Sequence, residues 1–171
     1  PAKNKPSGVG APHPIFHWRR GATPRFDPCA YLCTVNKCVL GLEDWPRWAA
    51  EHGPRLRGVV VLQGPMGAGK TTLVSALGTA LGWQDTVQSP TFGLIHTYRN
   101  ALGAPVYHLD LYRLRNEQEG WGLGLDELFE TGALCLVEWA EKIPTFLPEN
   151  PMRILIDYHE DTHLRTVELT V

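Results

Sequence analysis

The stretch GPMGAGKTT, residues 64–72, decides how the rest of the chain is read. Gly64, Gly69, Lys70 and Thr71 occupy every fixed position of the pattern G-x-x-x-x-G-K-[ST], and Gly67 adds a glycine inside the loop. Backbone N–H groups can wrap a phosphate only where the chain bends tightly without side chains, which is the task of Gly64, Gly67 and Gly69. A helix starting directly after the loop adds the partial positive charge of its N-terminus. Lys70 then reaches phosphate oxygens as a point charge, while the Thr71 hydroxyl stands one residue on, where it can ligate Mg²⁺. Thr72 supplies a second hydroxyl, either in the site or on a solvated helix surface. The nucleotide-binding set expected from the loop is Gly64, Pro65, Met66, Gly67, Ala68, Gly69, Lys70, Thr71 and Thr72.

The flanking sequence meets the two structural requirements of such a loop. GVVVLQ, residues 58–63, is a short β-branched run suited to burial on both faces of a sheet, and KTTLVSALGTAL places Leu73, Leu77 and Leu81 on one helical face. Upstream, TVNKCVL reads as a short strand, and LEDWPRWAAEHG as a helix with Trp45, Trp48 and Ala49 on one side, closed by Gly53 and Pro54. Downstream, FGLIHTYRN and PVYHLDLYRL flank residues 100–104, which contain Gly103 and read as a hairpin. LDELFE is a short helix, ALCLVEW a buried strand, and MRILIDYHE with HLRTVELTV a closing hairpin that turns near Asp161 and Thr162. The expected fold is α/β: a single P-loop NTPase domain whose mixed parallel and antiparallel sheet is flanked by helices.

Composition narrows the function classes. The 171 residues suit one domain, and the net charge of -2 arises from interspersed charges, so no nucleic-acid or membrane surface is demanded. No apolar run approaches the ~20 residues that span a bilayer. Residues 1–28, rich in proline and glycine, read as a flexible segment, and residues 29–171 as the domain. Cys29, Cys33, Cys38 and Cys135 form no even framework, which suggests thiols in a reducing, cytoplasmic setting. The first three, with His13 and His17, lack the paired spacing of a zinc site. His96 and His108 alternate with apolar neighbours and read as edge or surface residues, and LGLDELF as ordinary helix packing.

Turnover needs an acid near the cation and a group that orients water. Asp110, emerging from the strand in YHLDLYR, can hold a cation-bound water or instead pair with Arg113 or Arg115. Glu138 ends a run too apolar to carry a carboxylate casually, so it is paired or functional. Thr91, beside Ser89 and Pro90, is either a hydroxyl that senses a phosphate or part of a plain turn. Trp139 is a core aromatic or a partner-facing anchor.

Taken in order, GPMGAGKTT, SPTF, YHLDLYR, LGLDELF and CLVEW resemble the TsaE (YjeE) family over nearly the whole expected domain. The resemblance implies an ATPase acting with the TsaD and TsaB subunits of the machinery that makes threonylcarbamoyladenosine in tRNA, with ATP and Mg²⁺ as cofactors and tRNA met only indirectly. It assigns the loop lysine and hydroxyl to Lys70 and Thr71, the switch-like threonine to Thr91, the strand-end aspartate to Asp110, and the Glu-Trp pair to Glu138 and Trp139. Catalysis then falls on Glu138, Lys70 and Thr91, and metal binding on Thr71, Asp110 and Glu138. Base contacts are implied for residues 40–43 and for His163 or Arg165. Three departures concern partner contacts: the segment to about Asp27 has no counterpart, Trp45 and Pro46 interrupt a helix that is usually smooth, and Ala140 stands where a proline is common.

Two other readings stay open on sequence. One is a P-loop small-molecule kinase in which Arg113 and Arg115 neutralise the transferred phosphoryl. The other is a nucleotide-gated binding module with negligible turnover. Slow hydrolysis in isolation is expected, since no arginine stands out as a finger within the chain.

Overall fold

The computed structural model describes residues 37–87 and 93–170. The expectations for residues 1–28, for Cys29 and Cys33, and for the turn carrying Ser89 and Thr91 lie outside the described residues. Strand β1 (Lys37–Gly41) is followed by a 3-10 turn and helix α1 (Trp45–His52). β2 (Val59–Gln63) leads through the glycine loop into α2 (Lys70–Ala80). β3 (Ile95–Arg99) and β4 (Pro105–Asp110) precede the short helices α3 (Gln118–Gly122) and α4 (Leu125–Glu130), and β5 (Leu134–Glu138), β6 (Met152–Tyr158) and β7 (Leu164–Thr170) complete the chain.

The strands form one seven-stranded sheet in the order β1-β7-β6-β2-β5-β4-β3. β2 runs parallel to both β5 and β6, and β5 parallel to β4, so the centre is parallel. β3 pairs antiparallel with β4, β7 with β6, and β1 with β7, which makes the sheet mixed as expected. A parallel centre must be covered on both faces, and alternation along β2 divides the core accordingly. Val60 and Leu62, with Leu136, Ile154 and Ile156, pack under Leu73, Val74 and Leu77 of α2 and under Trp45, Trp48 and Ala49 of α1. Val59 and Val61, with Leu109, Cys135 and Val137, face Leu111, Leu114, Leu125 and Ile143 on the other side.

Local chemistry explains the connections. The Asn100 side-chain oxygen accepts from the N–H groups of Leu102 and Ala104, each at 2.9 Å, which closes the β3–β4 hairpin. Asp161 does the same for β6 and β7, its side chain accepting from His163 N–H at 2.9 Å and its carbonyl from Leu164 N–H at 2.9 Å. Pro46 does not interrupt α1: it lies in the first turn, where a helical N–H has no partner and the fixed φ suits entry. The helix gives way at Gly53 to a further 3-10 turn.

The cysteines divide into two kinds. Cys38 is disulfide-bonded, which corrects the expectation of thiols throughout. Cys135 is free and buried in the centre of β5, and burial pushes its thiol up to about 12. At pH 8 its thiolate is about a thousandfold scarcer than that of an open cysteine, and the packed sheet blocks access. Iodoacetamide at that pH, followed by peptide mapping, is expected to leave Cys135 unmodified in the native protein and to label it after addition of urea. Native labelling would contradict the packing described for β5.

Candidate functional site

The site lies where the parallel strands β2, β4 and β5 end, on the side from which the chain leaves for α2. β2 finishes at Gln63 and the loop turns at once, because β6 runs close beside it. Gly64 has φ +148, and a Cβ there would run into the Ile156 carbonyl oxygen, so the position excludes every other residue. Gly69, at φ +109, supplies the left-handed residue from which α2 starts. Between them Ala68 is buried, and its N–H donates to Pro65 O at 3.2 Å.

The loop's carbonyls are tied from behind. Lys70 Nζ donates to Gly64 O at 2.9 Å and to Pro65 O at 3.0 Å. The Tyr158 hydroxyl donates to Met66 O at 2.8 Å, and Arg165 Nε to Ala68 O at 3.2 Å. Arg165 also lies 4.8 Å over the Tyr158 ring, so the β6–β7 hairpin braces the loop through two joined side chains. Arg165, implied by the resemblance as a base contact, is here bonded to the loop backbone. The N–H groups of Gly67 and Gly69 donate to nothing among the described residues, and the first turn of α2 adds its own unpaired N–H groups. An anion fits that arrangement.

Lys70 is 5% exposed and makes no ion pair among the described residues. Its ammonium lies 4.6 Å from the centroid of the Trp139 ring. Trp139 is the one non-glycine residue with positive φ among those described, at +61, and its ring packs 5.1 Å from Tyr112. This strained backbone turns the indole under the lysine, and the half-buried ring also packs against the core on that side of the sheet, as the core reading expected.

Glu138 is 3% exposed and closes β5. Its Oε1 accepts two hydrogen bonds, one from the Thr71 hydroxyl at 2.9 Å and one from His108 Nε2 at 2.9 Å. Asp110 stands opposite Glu138 in the β4–β5 register and is half-buried, with Oδ1 accepting from Tyr112 N–H at 3.1 Å. It makes no ion pair with Arg113 or Arg115 among the described residues, and both arginines are exposed. Thr72 is exposed on α2 and contributes no contact to this cluster. Thr91 lies outside the described residues.

Sequence reasoning misplaced His108. Rather than an edge or surface residue, it is fully enclosed and bonded to Glu138. The signal was the alternation Val106, His108, Asp110, which puts all three on the β4 face that α2 covers. His96 remains half-buried on edge strand β3, its Nδ1 3.3 Å from the Tyr98 hydroxyl.

The donors suit a hard cation. A hydroxyl and two carboxylates offer only oxygen, and no group of three His, Cys, Asp or Glu side chains among the described residues is placed to hold a metal by itself. Such a set matches Mg²⁺, which keeps waters and shares phosphate oxygens rather than sitting in an all-protein cage. A depression of about 660 Å³ at the other end of the strands has Arg57 as its single charged lining residue, too little for comparable chemistry.

Fold and site together define an α/β protein built around a strand, glycine loop and helix, with a lysine and two strand-end carboxylates converging on the loop. The profile of one family, described as threonylcarbamoyl adenosine biosynthesis protein TsaE, matches residues 43–167, and the chain belongs to that family. Relatives named "tRNA threonylcarbamoyladenosine biosynthesis protein TsaE" include one from Haemophilus influenzae, 42% identical over 65% of this chain and 68% of its own length. One from Bacillus subtilis is 44% identical over 57% of this chain and 60% of its own, so the match spans less than two thirds of that relative. One from Treponema pallidum is 38% identical over 69% and 88%. The crystal structure of YdiB from Bacillus subtilis superposes with a TM-score of 0.62 at 30% identity, covering 81% of this chain and 88% of that one.

Gly64→Ala tests the loop geometry. The added methyl group meets the Ile156 carbonyl, so the variant is expected to lose about 1–3 kcal/mol of stability in urea unfolding. Wild-type stability would contradict the close approach of β6.

Proposed function

We propose that this chain binds ATP with Mg²⁺ at the 64–72 loop and hydrolyses it as the ATPase component of tRNA threonylcarbamoyladenosine modification, with TsaD and TsaB as its partners. The observation that carries the reading is the Lys70 ammonium, buried with no carboxylate partner among the described residues, beside a loop in which the N–H groups of Gly67 and Gly69 donate to nothing among those residues. A buried cation lacking an anion is costly, and an incoming phosphate chain removes that cost.

Each residue has a task that follows from its contacts. The loop N–H groups hold the phosphates, and Lys70 balances charge on the transferring phosphoryl group. Thr71 gives its hydroxyl hydrogen to Glu138, which turns an oxygen lone pair toward the loop, where the cation would be held. Glu138 and Asp110 hold and orient water at the strand ends, so that one molecule is aligned for in-line attack on the γ-phosphate. The cation, when bound, supplies charge neutralisation across the phosphates. Thr91 is the remaining proposed contributor, as a hydroxyl that senses the γ-phosphate.

The two exposed arginines, Arg113 and Arg115, have no bond to the site, so the kinase alternative gains no support from their placement. A partner-supplied group completes the site in this reading, and tRNA is reached through TsaD and TsaB. The cytoplasmic setting rests on that machinery rather than on the cysteines. Among the described residues no helix is long and apolar enough to cross a membrane.

Steady-state ATP hydrolysis by the purified chain, alone and with TsaD and TsaB, tests the proposal. Slow turnover, stimulated by the partners, is expected, and Glu138→Gln is expected to lower kcat by about 10²–10⁴-fold while still binding ATP. Full activity of that variant, or no turnover under any of these conditions, would overturn the hydrolytic role.

A further inference from the structure

The reaction just proposed leaves one buried polar side chain without a task. His108 has 0% of its surface exposed and lies two residues before Asp110 on β4. Its Nε2 is 2.9 Å from Glu138 Oε1, while its Nδ1 is buried with no hydrogen-bond partner among the described residues. A carboxylate only accepts, so the hydrogen of this contact is assigned to Nε2. If the ring merely filled space, a leucine or phenylalanine would do so without leaving Nδ1 orphaned in the core. The polar cost is therefore tied to the one hydrogen bond the ring makes.

That bond fixes something the chemistry needs. Glu138 Oε1 is committed to two donors, and Oε2 makes no hydrogen bond among the described residues. The terminal torsion of a glutamate is broad and nearly two-fold, so one donor alone leaves the two oxygens free to exchange. Thr71 is a poor sole anchor, because its hydroxyl must also face the nucleotide. His108 approaches from within the sheet and has no competing partner among the described residues.

We propose that His108 is a positioning residue: its Nε2–H pins Glu138 Oε1, so that Oε2 is the oxygen presented to water and cation at the strand ends. This rests on the ATPase reading above. The role needs the N–H group and its reach, not a change of charge.

Three variants separate donor, reach and volume. Glutamine carries an N–H at the same number of bonds from Cα as Nε2, asparagine carries one a bond short, and leucine carries none. With ATP as substrate, His108→Leu and His108→Asn are expected to lose about 10–100-fold in kcat, and His108→Gln to remain within about threefold of wild type. ATP affinity measured without Mg²⁺ should be the same in all four proteins, since Lys70 and the loop are untouched. Wild-type kcat in His108→Leu would overturn the proposal, as would a glutamine variant that folds normally yet is as slow as leucine.

A second measurement reads the contact without turnover and on the unmodified protein. ¹⁵N NMR of the histidine rings is expected to show His108 protonated at Nε2, with a resonance that moves in Glu138→Gln. A ring protonated at Nδ1 alone would overturn the assignment. If wild type fails to hydrolyse ATP even with its partners, the ATPase reading falls. The Mg²⁺ concentration for half-maximal ATP binding then decides the positioning role. It should rise in the leucine and asparagine variants and return with glutamine, and equal values in all four proteins would count against it.

Discussion

A lysine ammonium held inside a loop by two carbonyl oxygens and an indole face is the constraint on which the site depends. Carbonyls and a ring quadrupole soften the burial of a charge but do not neutralise it. The Lys70 contacts with Gly64 and Pro65 hold the loop in a wound conformation and keep the cation in place for an anion. Trp139 accepts a left-handed backbone so that its ring lies against that cation, and Tyr112 backs the ring in turn. Strain of this kind persists only where the surroundings over-determine it, and here the buried strand β5 ends one residue earlier.

The sheet positions the carboxylates for the same reason. β2, β4 and β5 are parallel neighbours, so their C-terminal ends lie side by side, which is where ligands meet open α/β sheets. Glu138 and Asp110 are in register, and the Thr71 hydroxyl reaches Glu138 from the first turn of α2. β6 constrains the loop on the other side, through the Ile156 carbonyl that excludes a side chain at Gly64 and through Tyr158, which holds Met66. The carboxylates and the supports of the loop thus converge on the ends of four adjacent strands.

Much of this was legible in the sequence because its signals are local. The glycine spacing, the apolar run of β2, the leucine period of α2 and both hairpins depend on neighbours a few residues away, and each lies where the sequence placed it. That Glu138 is paired or functional was legible too, since a carboxylate cannot end a buried strand alone. Its partner was not: His108 lies 30 residues away in sequence and reaches Glu138 only through the β4–β5 pairing. Arg165 was missed as a brace of the loop for the same reason, being 97 residues from Ala68. Pro46 misled in the opposite direction, because proline breaks a helix interior but suits its first turn, and only the position of the N-terminus tells the two apart.

Whether the loop and Lys70 bind a nucleotide phosphate can be measured directly by titration calorimetry of wild type and Lys70→Met with ADP and with adenosine. Wild type is predicted to bind ADP far more tightly than adenosine, and Lys70→Met to lose that difference while keeping its fold. Equal affinity for ADP and adenosine, or an ADP affinity indifferent to Lys70, would contradict the assignment of the loop as a phosphate cradle.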